Sequence, residues 1–366
     1  MRILLINFVM DRKSPVLGWQ HSVALQLSGK CERLVILTER IGDCELPSNV
    51  EVHCVPRILT TPLRMLGARW LMNIPVWTWC ARERFDAVFI HMNADWAYRL
   101  APCWRHFGIP VLLWYAHGTV TNRLRRAHAQ AACVVTSTPE GFRIPSSKVR
   151  IIGQGIDTDL FTAPASRPDN ANIVAVGRVS RRKSLDLMVE TIAWLKTNAP
   201  QCAFSLRIIG PTLTRDDRAY AAELADTVNR RNLGRQVTFE GPRAMGDLPA
   251  IYGSAFLHLN LSQTGSMDKT ILESLACGCP TLTSNASVFP LFESFPELIV
   301  RDRTPEAIGR QICRAYERRQ SSPPSDLRQL VVGRHDLSSY AEHVHHILSE
   351  LAGQTPAPGR LATVGN

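Results

Sequence analysis

Short apolar runs bounded by turn residues recur along this chain. They alternate with longer segments whose apolar positions return every three to four residues. Residues 2–8 (RILLINF) form a nearly continuous apolar run, the pattern of a strand buried on both faces of a parallel sheet. Similar runs at 34–38, 50–55, 87–91, 110–115, 133–137 and 149–152 predict six further strands. Between them the helical period predicts helices over 19–27 and 94–107 and a basic helix over 121–131. Residues 162–172, with Pro164, Pro168 and Asn170, have linker composition.

The alternation then restarts. Strands are expected at 173–177, 206–210, 237–241, 257–261, 280–282 and near 298–300, with helices over 215–231, 247–254, 305–319 and 338–351. Strand and helix alternating twice in this way predict an α/β fold with two Rossmann-like parallel sheets. The expected division is 1–165, 166–335, a C-terminal helical segment at 336–352 and a disordered tail at 353–366. A length of 366 residues agrees with two domains of about 150 to 200 residues.

Composition narrows the function classes. With 45% hydrophobic residues the chain can fill two cores, yet no run of about 18 apolar residues is present to span a bilayer, and the first residues read as a strand rather than a cleavable leader. The ten cysteines are scattered in no zinc or disulfide spacing, which points to reduced thiols in the cytoplasm. Lys and Arg (42) outnumber Asp and Glu (32) by ten. That excess suits nucleotide phosphates or an anionic membrane surface, and no nucleic-acid motif accompanies it. Within residues 62–85, Arg64, Arg69, Arg82 and Arg84 lie among Trp70, Trp77 and Trp79. Such a stretch can lie on an anionic membrane, at the inner face here, or form core-facing helices with solvated arginines, and both readings stay open.

The stretch 257–284 (LHLNLSQTGSMDKTILESLACGCPTLTS) carries the clearest chemistry. Leu257, Leu259 and Leu261 alternate with His258 and Asn260 as a strand would, the polar run 262–266 forms a loop, and Ile271, Leu272, Leu275 and Ala276 recur at helical spacing until Gly278 and Pro280 stop them. A helix N-terminus after such a loop favours an anion, most naturally a phosphate. Glu273, about one turn in, can accept hydrogen bonds from a sugar diol. A second basic turn, GRVSRRKS, sets Arg178 and Lys183 five residues apart, a spacing that can aim a guanidinium fork and an ammonium at one diphosphate.

LESLACGCPTLTS, with the glycine-bearing loop before it, resembles the donor-site signature of the retaining GT-B glycosyltransferases, family 4 type (glycosyl transferases group 1). The resemblance implies a GT-B fold, two Rossmann-like domains facing each other across a cleft, with the C-terminal helix packing back on the first. It implies a nucleotide diphosphate sugar, UDP- or GDP-linked, as donor, no cofactor and no required metal. The acceptor would be a saccharide, lipid-linked or other small molecule, in surface polysaccharide or glycoconjugate synthesis. Glu273 aligns with the second of two family glutamates and would bind the ribose; the first falls on Gly265 and is missing, leaving Gly265, Ser266, Asp268, Lys269 and Thr270 as donor-binding candidates.

The same resemblance puts Arg178 and Lys183 on the donor phosphates, with Ser184 where a glycine is usual. Gly241 and Arg243 fall at the turn cradling the base, and Gly18 in the loop approaching the diphosphate. His117, at the end of the fifth strand, would position the sugar. The segment GQGIDTDLF (153–161) matches an interdomain signature and is expected to act as a lid. Two alternatives stand beside this reading, a sugar-nucleotide epimerase on the same scaffold and a non-catalytic nucleotide-sugar-binding subunit. A dinucleotide oxidoreductase is disfavoured, because neither glycine-bearing loop supplies G-x-G-x-x-G followed by an acidic residue.

Overall fold

In the computed structural model, residues 1–55, 74–165, 169–263, 265–319 and 324–354 are described. Seven apolar runs pair in parallel into one sheet: β1 (Arg2–Ile6), β2 (Arg33–Thr38), β3 (Val50–Cys54), β4 (Ala87–His91), β5 (Val111–Trp114), β6 (Cys133–Thr136) and β7 (Val149–Ile151), in the order β3-β2-β1-β4-β5-β6-β7. Leu4 and Ile6, Val88 and Ile90, and Leu113 and Val134 are all buried within 1% of full burial, filling one face of this sheet. Residues 1–12, 20–152 and 340 onward form this compact unit.

A second sheet has the order β10-β9-β8-β11-β12: β8 (Asn172–Val176), β9 (Ser205–Ile209), β10 (Val237–Gly241), β11 (Leu257–Asn260) and β12 (Thr281–Thr283). All its pairings are parallel. Helices Leu185–Asn198, Arg215–Arg230, Lys269–Ala276 and Pro305–Glu317 cover it, and their apolar faces join the strands in one core. Residues 13–19 group with residues 153–339 in this second unit.

Three sequence expectations change. The helix over 94–107 is two helices, Ala94–Arg99 and Ala101–Phe107, because Pro102 has no N–H to continue the ladder. Residues 298–300 form no strand: Pro296–Leu298 is a 3₁₀ turn, and Ile299 makes a single bridge to Thr283. Residues 153–161 are not a lid but a packed strap. Gln154, Ile156 and Phe161 are buried, Arg328 donates to the carbonyls of Thr158 (2.8 Å) and Phe161 (2.6 Å), and the Phe161 ring lies 6.3 Å from that of Tyr252.

Of the Trp- and Arg-rich stretch, residues 62–73 (Arg64, Arg69 and Trp70 among them) lie outside the described residues. In helix Ile74–Glu83, Trp77 and Trp79 pack half-buried against the first unit's core while Arg82 points outward, the arrangement of a core-facing helix. Among the described residues no helix is long and apolar enough to cross a membrane.

Candidate active site

The carboxyl ends of β8 and β9 approach so closely that only glycine fits. Gly177 and Gly210 have φ +133° and +151°, and a Cβ on Gly210 would stand 1.9 Å from the Gly177 carbonyl oxygen. That close approach forms the floor of a cavity of about 250 Å³ in the second unit. Its walls come from Pro15, Gly18 and Trp19, from the β8 turn, from the β10 turn and from the start of helix Lys269–Ala276. Open parallel sheets bind ligands at this edge.

Eight expected residues line this cavity: Gly18, Arg178, Lys183, Arg243, Asp268, Lys269, Thr270 and Glu273. Lys183 arrives on a 3₁₀ turn, Arg181–Lys183, whose end residue Ser184 has φ +50°. That left-handed conformation explains the glycine usual in the resembled family, and here the Ser184 hydroxyl accepts from Arg303 at 2.8 Å. The bare Gly177 leaves the Lys183 chain room, since a Cβ there would lie 3.3 Å from Cε.

The expected phosphate-binding cations are held by carboxylates. Arg178 donates through Nε to Asp217 at 2.7 Å. Burial opposes ionisation of Asp217, but Arg178 and the amides of Leu213 and Thr214 outweigh it and hold the carboxyl down at about 2. Lys183 is hydrogen-bonded to Asp268. Asp268 in turn caps the helix, accepting from the Thr270 amide at 3.4 Å and from Asn260 Nδ2 at 3.0 Å, with the Ser262 hydroxyl at 3.4 Å. Burial would raise its pKa; Lys183 and Asn260 keep it well below the usual carboxylate range.

Two consequences follow for the donor-binding assignments. The N-terminus of the helix already carries an anion, because Asp268 sits where a phosphate oxygen would otherwise be received. Both Asp268 oxygens are engaged with protein donors. Glu273 is 7% exposed, one oxygen accepting from the fully buried Tyr252 hydroxyl at 3.2 Å. Burial raises its pKa, and the nearby Lys269 ammonium resists that rise. Lys269 itself rests 4.0 Å above the Trp19 ring.

Gly241, Gly265 and Ser266 do not line the cavity. The Gly241 carbonyl accepts from the Gly210 amide at 2.9 Å, and the Ser266 carbonyl is tied by Asn285 Nδ2 at 2.8 Å, while Gly265 turns the loop with φ +67°. His117 stands in the first unit beyond β5, half-buried, its amide donating to Gly141 at 2.8 Å and its Nδ1 accepting from Thr119 at 3.2 Å. Sequence reasoning missed Trp19, Met245 and the partners Asp217, Asn260 and Tyr252. The Thr214–Asp217 capping box was visible at its three-residue spacing, but nothing local tied it to Arg178.

Residues 170–318 match the family pattern described as glycosyl transferases group 1. The second unit belongs to this family. The group 1 match extends to sequence relatives. A D-inositol 3-phosphate glycosyltransferase of Salinispora arenicola is 30% identical over 157 residues, covering 38% of this chain and 34% of that protein. Mannosylfructose-phosphate synthase of Agrobacterium fabrum is 24% identical over 41% of this chain and 37% of that protein. The match thus spans under two fifths of these relatives' own length. Among solved structures, Anabaena HepE in complex with UDP and glucose superposes with a TM-score of 0.75 at 16% identity, covering 95% of this chain and 99% of HepE. Sucrose-phosphate synthase of Thermosynechococcus elongatus gives 0.76 at 18% identity, over 96% and 99%. At such identities the likeness shows the fold, and the group 1 unit is one of the two parallel-sheet units of a GT-B chain.

Proposed function

We propose that this chain moves a sugar, with retention of configuration and without a metal, from a nucleotide diphosphate sugar to a saccharide, lipid-linked or other small acceptor. One observation carries the reading: Arg178 and Lys183, on one turn, and Glu273, about 90 residues further on, line a single cavity at the carboxyl edge of the second sheet. Departure of a nucleoside diphosphate builds negative charge on its terminal phosphate. Arg178 and Lys183 would meet that charge with donors already aimed by Asp217 and Asp268, and Glu273, fixed by Tyr252, would accept from the ribose hydroxyls. HepE has been solved with UDP and with UDP-glucose, which favours UDP over GDP as the nucleotide.

Arg178→Ala is expected to lower sugar transfer about 100-fold or more, the usual scale for removing one aimed donor from developing charge. Near-wild-type turnover of a nucleotide sugar by the variant would refute the assignment. A second reading, a binder that does no chemistry, is favoured by the commitment of both Asp268 oxygens and by the absence of a side chain at Gly265. Donor hydrolysis or transfer by the wild type would exclude it.

A further inference from the structure

Four cations line the cavity, and three already stand in ion pairs. Arg178 is paired with Asp217, Lys183 with Asp268, and Arg243 with Glu240, a carboxylate that also holds Arg207. Lys269 makes no ion pair among the described residues. It is half-buried with its ammonium over the face of Trp19, an arrangement that stabilises a cation without neutralising it. Its neighbours are two carboxylates of its own helix, Asp268, whose oxygens are spent, and Glu273, one turn along the same face. Burial pushes the Lys269 ammonium down, against the pull of Glu273 and Asp268, so an arriving anion would restore the charge that desolvation disfavours.

We propose that Lys269, the cavity-lining cation that no ion pair holds among the described residues, brings its charge onto the diphosphate of the donor. Arg178 and Lys183 then act as aimed hydrogen-bond donors whose charge the protein has already balanced. An anion approaching either ion pair meets a nearly neutral partner; an anion approaching Lys269 meets an ammonium held by the Trp19 face and by the field of Glu273 rather than by an ion pair. The inference rests on the donor-site reading and assigns its electrostatics to a residue that local spacing alone marks only as part of a helix start.

The test is calorimetric titration of UDP, with uridine as the uncharged control, into wild type, Lys269→Met, Lys269→Arg and the double variant Lys183→Met/Asp268→Asn, which removes one balanced pair. Lys269→Met is expected to weaken UDP binding about 30-fold and flatten its salt dependence, with Lys269→Arg restoring most of the loss and uridine binding unchanged. The double variant is expected to lose less UDP affinity than Lys269→Met, and an equal or greater loss would overturn the inference. UDP affinity within about 3-fold of wild type in Lys269→Met would overturn the inference while leaving the donor reading in place. A wild type that binds neither UDP nor GDP sinks the donor reading, and this inference with it.

Discussion

Lys183→Ala is expected to remove transfer and destabilise the second unit together. Lys183 and Asp268 are 18% and 12% exposed, so truncating the lysine strands a largely buried carboxylate at a helix N-terminus. Breaking a buried pair costs about 3–5 kcal/mol; Asn260, Ser262 and Thr270 still donate to Asp268, so the lower end, about 3 kcal/mol, is expected. For a unit of this size that corresponds to a melting temperature lower by roughly 6–12 °C. The pH dependence has a definite sign. Asp268 is depressed in the folded state, so its contribution is present above the unfolded carboxylate pKa of about 4 and fades as the pH falls below it. The gap between wild type and Lys183→Ala should therefore narrow on acidification. Lys183→Met/Asp268→Asn should recover most of the stability but not the transfer, because the donor aimed at the leaving group is still gone. Recovery of transfer in the double variant would show that Lys183 serves the fold alone.

Gly210→Ala should be the most damaging single methyl group in the second unit. Its Cβ would overlap the Gly177 carbonyl oxygen at 1.9 Å, both atoms belong to backbone, and φ of +151° is itself unfavourable for alanine. Relief requires the ends of β8 and β9 to part, which disturbs the Gly177 amide bond to Ile209 (2.9 Å) and the cavity floor at once. A cost of about 3–5 kcal/mol is expected from the combined clash and strain. Gly234→Ala, whose Cβ meets nothing within 4 Å, is the matched control and should change stability by about 0.5 kcal/mol or less. Denaturant unfolding of the two variants decides the point; equal midpoints would contradict the close approach of the two strand ends.

Much of this architecture was written locally. Strands buried on both faces read as continuous apolar runs, so β1, β2, β4 and β8 could be placed within a residue or two, and the restart after the linker announced a second sheet. Arg178, Lys183 and Glu273 were legible for a different reason: short spacings on a strand-to-helix turn and a helix start already constrain where side chains point. The helix break at Leu100 was missed because amphipathic period continues across it while Pro102 breaks only the backbone ladder.

What sequence could not supply was the matching of distant charges. Nothing near Arg178 announces Asp217, 39 residues on, or near Lys183 that Asp268, 85 residues on, already holds it. Those pairings exist only because parallel strands bring several loops to one sheet edge. They change the chemistry, making Arg178 and Lys183 donors already paired with carboxylates, while Lys269 stands outside any ion pair among the described residues. The placement of Gly265 and Ser266 outside the cavity has the same origin, since Asn285, beyond the following strand, fixes the loop they occupy.

A structure of the chain with a bound UDP-sugar tests the account most directly. The ribose hydroxyls should lie within hydrogen-bond distance of Glu273, and the diphosphate should contact Arg178, Lys183 and a Lys269 ammonium lifted from Trp19. A nucleotide seated elsewhere, or one whose phosphates face away from those three cations, would contradict it.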